Sequence, residues 1–268
     1  MVWNLDPVFL KLGPLEVRYY GICFVMALAG GYLFWKWQMT RAGRKLEAID
    51  RFILPAAVAV IVGARLGHVL FYEPERFLSN PLSILYVWQG GLASHGATLG
   101  LMLTLWWYSR AEAMSLAQVC DRFSFSSAWG AALVRLGNFL NSEIVGRPTS
   151  LPWAVKFPRF DAGIPLELVP ARHPSQIYEF FLGFAVLGIL CWVDRLSGGE
   201  KRKTGVLAST FLVAYFTGRF LVEFVKAQQG LPEGYPVTMG QVLSVPFILL
   251  GLFGLFHYGG KPSAAPKR

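Results

Sequence analysis

Phe52-Ile53-Leu54-Pro55-Ala56-Ala57-Val58-Ala59-Val60-Ile61-Val62-Gly63-Ala64-Arg65-Leu66-Gly67-His68-Val69-Leu70-Phe71-Tyr72 is an almost unbroken apolar run with one arginine near its end. At about 1.5 Å of rise per residue, a helix of this length crosses a hydrocarbon core of about 30 Å. Comparable runs recur at 19–38, 92–109, 117–140, 174–193, 205–225 and 238–257. Together they predict an all-α integral membrane protein of about seven transmembrane helices, with 1–268 forming a single polytopic membrane domain. Hydrophobic residues make up 54% of the chain and charged ones 15%, a balance foreign to a soluble domain. Asp121 and Arg122 soften the start of the fourth span, as Gly and His soften the third.

Lysine and arginine near the span ends set the orientation. With the N-terminus outside, thirteen fall on inner segments (Lys36 through Lys203, then Lys261, Lys267 and Arg268) and eight on outer ones. The chain therefore reads as N-out and C-in. Its formal charge of +9 is mostly a topology signal, and no basic stripe with interleaved aromatics points to nucleic acid. Met1 to Arg18 lacks the features of a cleaved signal peptide and is expected at the outer face. Residues 141–173 hold five prolines and a strand-like run at Trp153–Phe157, which predicts a small extramembrane head of loops and short strands. Residues 73–91 form a shorter outer loop, and 259–268 a basic inner tail. Cys23, Cys120 and Cys191 lie in apolar spans, as buried small hydrophobes do. No metal cluster and no cofactor motif is present.

The chemistry concentrates in Arg135-Leu136-Gly137-Asn138-Phe139-Leu140-Asn141-Ser142-Glu143-Ile144-Val145-Gly146-Arg147. A charged side chain at the bilayer centre costs about 2.5–3.5 kcal/mol on insertion scales, so Arg135 should face a partner or a polar cavity. No carboxylate lies within one helical turn of it, so its counter-ion must come from another helix or a ligand. Arg135 and Asn138 share a face, and Asn138, Asn141 and Glu143 continue into the head. Gly146 suits a tight turn. Tyr215, Arg219 and Glu223 form one stripe at spacings of four; Glu223 either only neutralises Arg219 or holds it towards a cavity.

His95 opens an apolar helix, where the helix dipole disfavours imidazolium and keeps the ring a proton acceptor. His173 opens another, with capping and the path of the chain into the helix as its expected role. Arg65 and Tyr72 form a weaker polar patch. Gly63 and Gly67, like Gly96 and Gly100, are four apart and allow close backbone approach. They serve plain helix packing or leave room for a lipid between thin helices. Guanidinium forks suit phosphate, and at this depth the abundant phosphate is an anionic phospholipid.

The Arg135–Arg147 run resembles the signature of the bacterial prolipoprotein diacylglyceryl transferases. The likeness extends through Tyr19-Tyr20-Gly21, Arg65–Tyr72, His95-Gly96, Arg172–Glu179, Arg219–Glu223 and Met239-Gly240-Gln241. Ala97 stands where the family usually has a second glycine, and Lys226 where an arginine is common. The resemblance implies an inner-membrane enzyme with a periplasmic head. It would transfer diacylglycerol from phosphatidylglycerol to the lipobox cysteine of a prolipoprotein, releasing glycerol phosphate. On that reading His95 helps deprotonate the thiol, and Arg135 and Arg219 stabilise the departing phosphate. Arg135, Asn138, Glu143 and Gly146 hold the head group, Glu223 orients Arg219, and Tyr20 and Tyr215 shape the cavity. Arg65, Tyr72, His173 and Asn141 give support. The rivals are an anionic-lipid flippase, which usually shows repeated halves; a metal-dependent phospholipid synthase, which needs clustered aspartates; and a non-catalytic membrane scaffold, which has little reason to carry intramembrane charges.

Overall fold

The structure is a computed structural model and describes residues 1–13, 15–86, 91, 93–228 and 235–258. The expected inner tail at 259–268 lies outside the described residues, as do 87–90 of the outer loop. A hairpin of β1 (Val8–Leu12) and β2 (Leu15–Arg18) leads into α1 (Tyr19–Arg41). Next come α2 (Leu46–Asp50), α3 (Ile53–Phe71), α4 (Pro74–Ser79), α5 (Ser94–Ala111) and α6 (Leu116–Leu140). Then follow β3 (Val155–Lys156), β4 (Ala171–Arg172), α7 (Ser175–Leu196), α8 (Val206–Val222) and α9 (Met239–Tyr258).

The protein is mostly helical. Four stretches are long and apolar enough to cross a membrane: Leu46–Phe71, Ser175–Leu196, Val206–Val225 and Met239–His257. The other expected spans are also helices, α1, α5 and α6, but they are less apolar, and between them they carry Lys36, Arg110, Asp121, Arg122 and Arg135. Large apolar side chains such as Leu54, Leu99, Trp192 and Phe253 are exposed. Such a surface suits lipid rather than water.

The chain divides into two compact units, Met1–Trp35 with Asp121–Arg268, and Lys36–Cys120. In the second, α3 crosses α5 at the two glycine pairs. A β-carbon at Gly96 would overlap the Gly63 carbonyl, and one at Gly100 the Ala59 carbonyl. Backbone fills this contact, so of the two roles open to these glycines the structure supports helix packing. Tyr108 donates to the Ala48 carbonyl at 2.8 Å, and Glu112 pairs with Arg51 at 3.0 Å.

In the first unit, Phe125 and Ala128 of α6 pack with Val186, Leu187 and Leu190 of α7 and Leu207 of α8. The charges that softened the start of the fourth span have local uses. The Asp121 carboxylate accepts from the backbone N–H groups of Gly205 (2.6 Å) and Ala208 (2.8 Å), capping α8 from a neighbouring helix. Arg122 pairs with Glu200 at 2.8 Å.

After α6, Val145, Val155 and Phe157 bury a small core against Trp3 and Phe139. Within the strand-like run, only Val155–Lys156 pairs, antiparallel to Ala171–Arg172. The chain start joins it: Trp3 donates to the Lys156 carbonyl, and Lys156 to that of Met1, each at 2.9 Å. Arg172 grips both oxygens of Asp161 at 3.0 and 2.7 Å. The β1–β2 hairpin went unforeseen, although short apolar alternation around Gly13, which has φ +60°, is a hairpin signal.

Candidate active site

The counter-ion of Arg135 is Glu179, on the next long helix. The inner stripe of α7 runs through Ser175, Gln176, Glu179, Gly183 and Val186, which puts the carboxylate inside, 1% exposed. Arg135 Nε lies 3.2 Å from Glu179 Oε2. Lys226 Nζ lies 3.5 Å from the same oxygen, and Arg219 approaches Oε1 at 3.8 Å. One carboxylate thus gathers three cations from α6, α8 and the segment after it. At about 4 Å each such contact is worth about 4 kcal/mol with an effective dielectric of about 20, set against the cost of taking the ions out of water.

Among the described residues, nevertheless, neither Glu179 oxygen has an aligned hydrogen bond. Among these described residues, Arg219 makes ion contacts, and Arg135 adds one long bond, 3.4 Å, to Asn138 Oδ1. Among the described residues, the two guanidinium groups are held mainly by charge, with Tyr215 also set against Arg135. Their side chains remain 13% and 23% exposed. A guanidinium whose N–H groups are not taken up by aligned carboxylate bonds is still able to donate to an anion.

The expected pair of Arg219 with Glu223 is loose, at 3.9 Å. Glu223 is held more closely by Lys226 Nζ at 2.8 Å and by the Thr238 hydroxyl at 2.9 Å. Thr238 and Gln241 cap α9 reciprocally, at 3.0 and 3.2 Å. A β-carbon at Gly240 would run into the Glu223 carboxylate. Met239-Gly240-Gln241 is therefore a seat for Glu223. Lys226 is buried between two carboxylates and serves to brace them.

Asn138 and Asn141 donate to the Glu143 carboxylate at 3.3 and 3.1 Å. The tight turn falls before Gly146, at residues 142–144. Ser142 (φ 58°) and Ile144 (φ 55°) take the left-handed conformation, and Gly146 does not. For a β-branched residue such as Ile144 this costs on the order of 1–3 kcal/mol. The turn is pinned by α7: Ser175 Oγ donates to the Ile144 carbonyl at 3.0 Å, and Gln176 Nε2 to that of Glu143 at 2.6 Å. Gly146 is needed for closeness instead, since a β-carbon there would meet His173 and the Val225 carbonyl. Arg147 donates from its Nε to the Lys226 carbonyl at 2.9 Å, fastening the loop to the far end of α8.

The Tyr20 ring covers Gly137, next to Asn138 and one turn from Asn141, and Tyr215 faces Arg135 while stacking on Phe211. His173 meets the Tyr178 hydroxyl through Nδ1 at 3.3 Å, and Trp153 donates to that hydroxyl at 2.7 Å. The His173 ring thus bonds to a side chain of the first turn of α7, and no side-chain cap bond forms at that helix start among the described residues.

The remaining expected residues belong to the Lys36–Cys120 unit. Arg65 is buried and donates to the carbonyls of Ile84 (2.9 Å), Gly91 (3.1 Å) and Ser83 (2.6 Å). Among the described residues these bonds tie it to the chain between α4 and α5, while the Tyr72 hydroxyl has a different partner. The Tyr72 hydroxyl lies 2.9 Å from His95 Nε2, with the two rings stacked. His95 is exposed in the first turn of α5.

Glu179, Gln176 and the bracing of Lys226 escaped the sequence reading. A carboxylate inside an apolar span was the missed signal, because such a group marks a functional site as surely as an arginine does.

The sequence model of the prolipoprotein diacylglyceryl transferase family matches residues 7–257. A phosphatidylglycerol–prolipoprotein diacylglyceryl transferase of Chloroherpeton thalassium is 40% identical over 262 residues, covering 95% of this chain and 93% of the relative. The enzyme of that name from Tolumonas auensis is 38% identical over 254 residues (94% and 95%), and that of Vibrio cholerae 38% over 259 residues (93% and 90%). The chain belongs to the prolipoprotein diacylglyceryl transferase family.

Proposed function

We propose that the Glu179-centred cluster is where this enzyme holds the phosphodiester of phosphatidylglycerol while the diacylglyceryl group passes to the lipobox cysteine of a prolipoprotein. The carrying observation is that Arg135 and Arg219 converge on one buried carboxylate whose oxygens make no aligned hydrogen bond among the described residues, so charge rather than bond geometry holds them. The reaction makes an S–C bond to the diacylglyceryl group and breaks the C–O bond to phosphate. The thiol gives up its proton, and the leaving phosphate gains a second negative charge. Two guanidinium groups fixed beforehand favour that charge most when it is fully developed. Asn138 and Glu143 set the face that Arg135 presents, Glu223 acts on Arg219 through the Lys226 brace, and Tyr20 and Tyr215 flank the site.

A thiol with an ordinary pKa of about 8.5 needs a proton acceptor. That role is assigned to His95, on its own surroundings: an exposed ring at a helix start, held by Tyr72. Arg65 and His173 act through the backbone they secure. In the bilayer, seven helices cross with the N-terminus outside. Residues 141–173 form the head on the outer side of the bacterial inner membrane, and 259–268 the inner tail. The lysine and arginine distribution supports this orientation.

The test is to incubate purified enzyme with phosphatidylglycerol and a lipobox peptide, and to follow the peptide mass. Gain of a diacylglyceryl group, lost in Arg135→Ala and Arg219→Ala, is expected. Unchanged turnover in both variants overturns the placement of the phosphate.

A further inference from the structure

The corner between α5 and α6 holds a cavity of about 420 Å³. That volume falls within the roughly 300–1,000 Å³ of small-ligand sites. Trp106, Ser109, Arg110, Met114 and Ser115 line it, and no carboxylate does. Arg110 is exposed and lies over the Trp106 ring, with Cζ 5.7 Å from the centroid. An indole face attracts the charge but has no lone pair to accept with, so this contact leaves the guanidinium short of hydrogen-bond acceptors. The acid closest in the chain, Glu112, is taken by Arg51 at 3.0 Å and Arg44 at 3.8 Å. Among the described residues no carboxylate pairs with Arg110. Ser109 is committed, since its hydroxyl donates to the Trp106 carbonyl at 2.7 Å. Ser115 differs: its Oγ accepts from the Gln118 N–H at 3.2 Å, and among the described residues no acceptor takes its own hydrogen. The cavity therefore offers an anion one unpaired cation and one hydroxyl donor.

We infer that this cavity seats the phosphate of an anionic phospholipid, in the leaflet at the end of α5 opposite His95. A free phosphate would meet the same donors, and the exposed face of α5 decides for lipid. Leu99, Met102, Leu103, Trp106 and Trp107 form an exposed apolar stripe that runs down to Arg110, while Thr104, Leu105, Tyr108 and Ser109 face inward. An acyl chain laid along that stripe brings its phosphate to Arg110. The last turn of α1 repeats the pairing, with Arg41 over the Trp37 ring at 5.0 Å. Half-exposed tryptophans beside arginines at helix ends mark the level of the head groups. With the N-terminus outside, both helices end at the inner face and the leaflet is the inner one; the chemistry of the cavity does not depend on that orientation. His95 to Arg110 spans fifteen steps of α5, about 22 Å at about 1.5 Å per residue. A lipid held here is therefore out of reach of His95 and does not react. It ties the α5–α6 corner to the bilayer.

Native mass spectrometry of the full-length enzyme, stripped of lipid in detergent and then supplied with phosphatidylglycerol, counts the lipids that stay bound. Arg110→Gln should weaken retention of one lipid about fivefold, the effect of one interfacial basic residue on an anionic lipid. Arg110→Lys should weaken it less, because the charge remains. Peptide lipidation by both variants should stay within about twofold of wild type, which also shows that they fold. Arg135→Ala should lose a different lipid together with activity, so the two losses add in the double variant. Retention unchanged in Arg110→Gln overturns the inference. So does an equal loss of phosphatidylcholine in that variant, which would make the apolar stripe and not the phosphate charge responsible. Arg110-dependent retention of inorganic phosphate, with no lipid held there, would make this a site for the free ion and overturn the lipid assignment.

Discussion

Arg65 and Arg135 are both arginines in apolar helices, and the protein treats them oppositely. Arg65 gives its donors to three backbone carbonyls and is 5% exposed. Among the described residues, Arg135 is held by a carboxylate without an aligned bond, by one long contact to Asn138 and by Tyr215 set against it. The first is saturated and can only clamp a loop; the second is charge-balanced yet still able to donate. An intramembrane arginine is thus informative through what fills its donors, more than through its depth.

Removing Arg135 is the sharpest way to break this comparison. Arg135→Ala should lower turnover about 10²–10³-fold, the loss typical when a donor to developing oxyanion charge is deleted. The protein should still be recovered folded from the membrane, because only one charge of a five-member cluster has gone. Arg65→Ala should do the reverse. Three carbonyls left unpaired cost a few kcal/mol, at about 1–3 kcal/mol each before relaxation. Thermal unfolding in detergent should therefore fall clearly, with activity tracking the folded fraction. Equal behaviour of the two variants would erase the distinction.

His95→Gln comes next, with an expected loss of about 10²-fold in peptide lipidation near neutral pH. Raising the pH should recover part of it, since more of the peptide thiol is then already ionised. Full activity in this variant removes His95 from the proton transfer.

Glu179→Gln tests the cluster itself. Three cations then face only Glu223 nearby, and breaking a buried ion pair commonly costs about 3–5 kcal/mol. An activity loss of about tenfold or more with weakened folding is expected. Adding Lys226→Met, which removes the surplus charge, should restore part of the stability. If the double variant is no better than the single, Glu179 is not acting through charge.

The sequence carried the helices and most of the polar residues, because apolar length and buried charge are local signals. It named Arg135, Asn138, Asn141 and Glu143 and required a counter-ion from elsewhere, but could not say from which helix. The answer depends on how α6 and α7 face each other, with Gly183 set against Ala128 and Ala132, and spacing along one helix does not encode that. The Arg219–Glu223 stripe shows the opposite error. Spacing of four suggested a tight pair, yet Lys226, three residues on, lies closer to the carboxylate. Gly146 was correctly singled out for the wrong geometry, since close approach and a left-handed turn both select glycine.

The smallest effect concerns how His95 is held. For Nδ1 to take a thiol proton, Nε2 must carry the hydrogen and donate it to the Tyr72 oxygen, 2.9 Å away. Tyr72 then fixes the tautomer and the ring plane, helped by stacking between the two rings. Tyr72→Phe keeps the stack and removes the acceptor, so the ring is free to populate the other tautomer. A fall of about three- to tenfold in kcat is expected, with KM for phosphatidylglycerol unchanged, because the phenol acts on the base and not on the lipid phosphate. A rise in KM with kcat intact would instead place Tyr72 among the lipid contacts and leave His95 without a positioning partner.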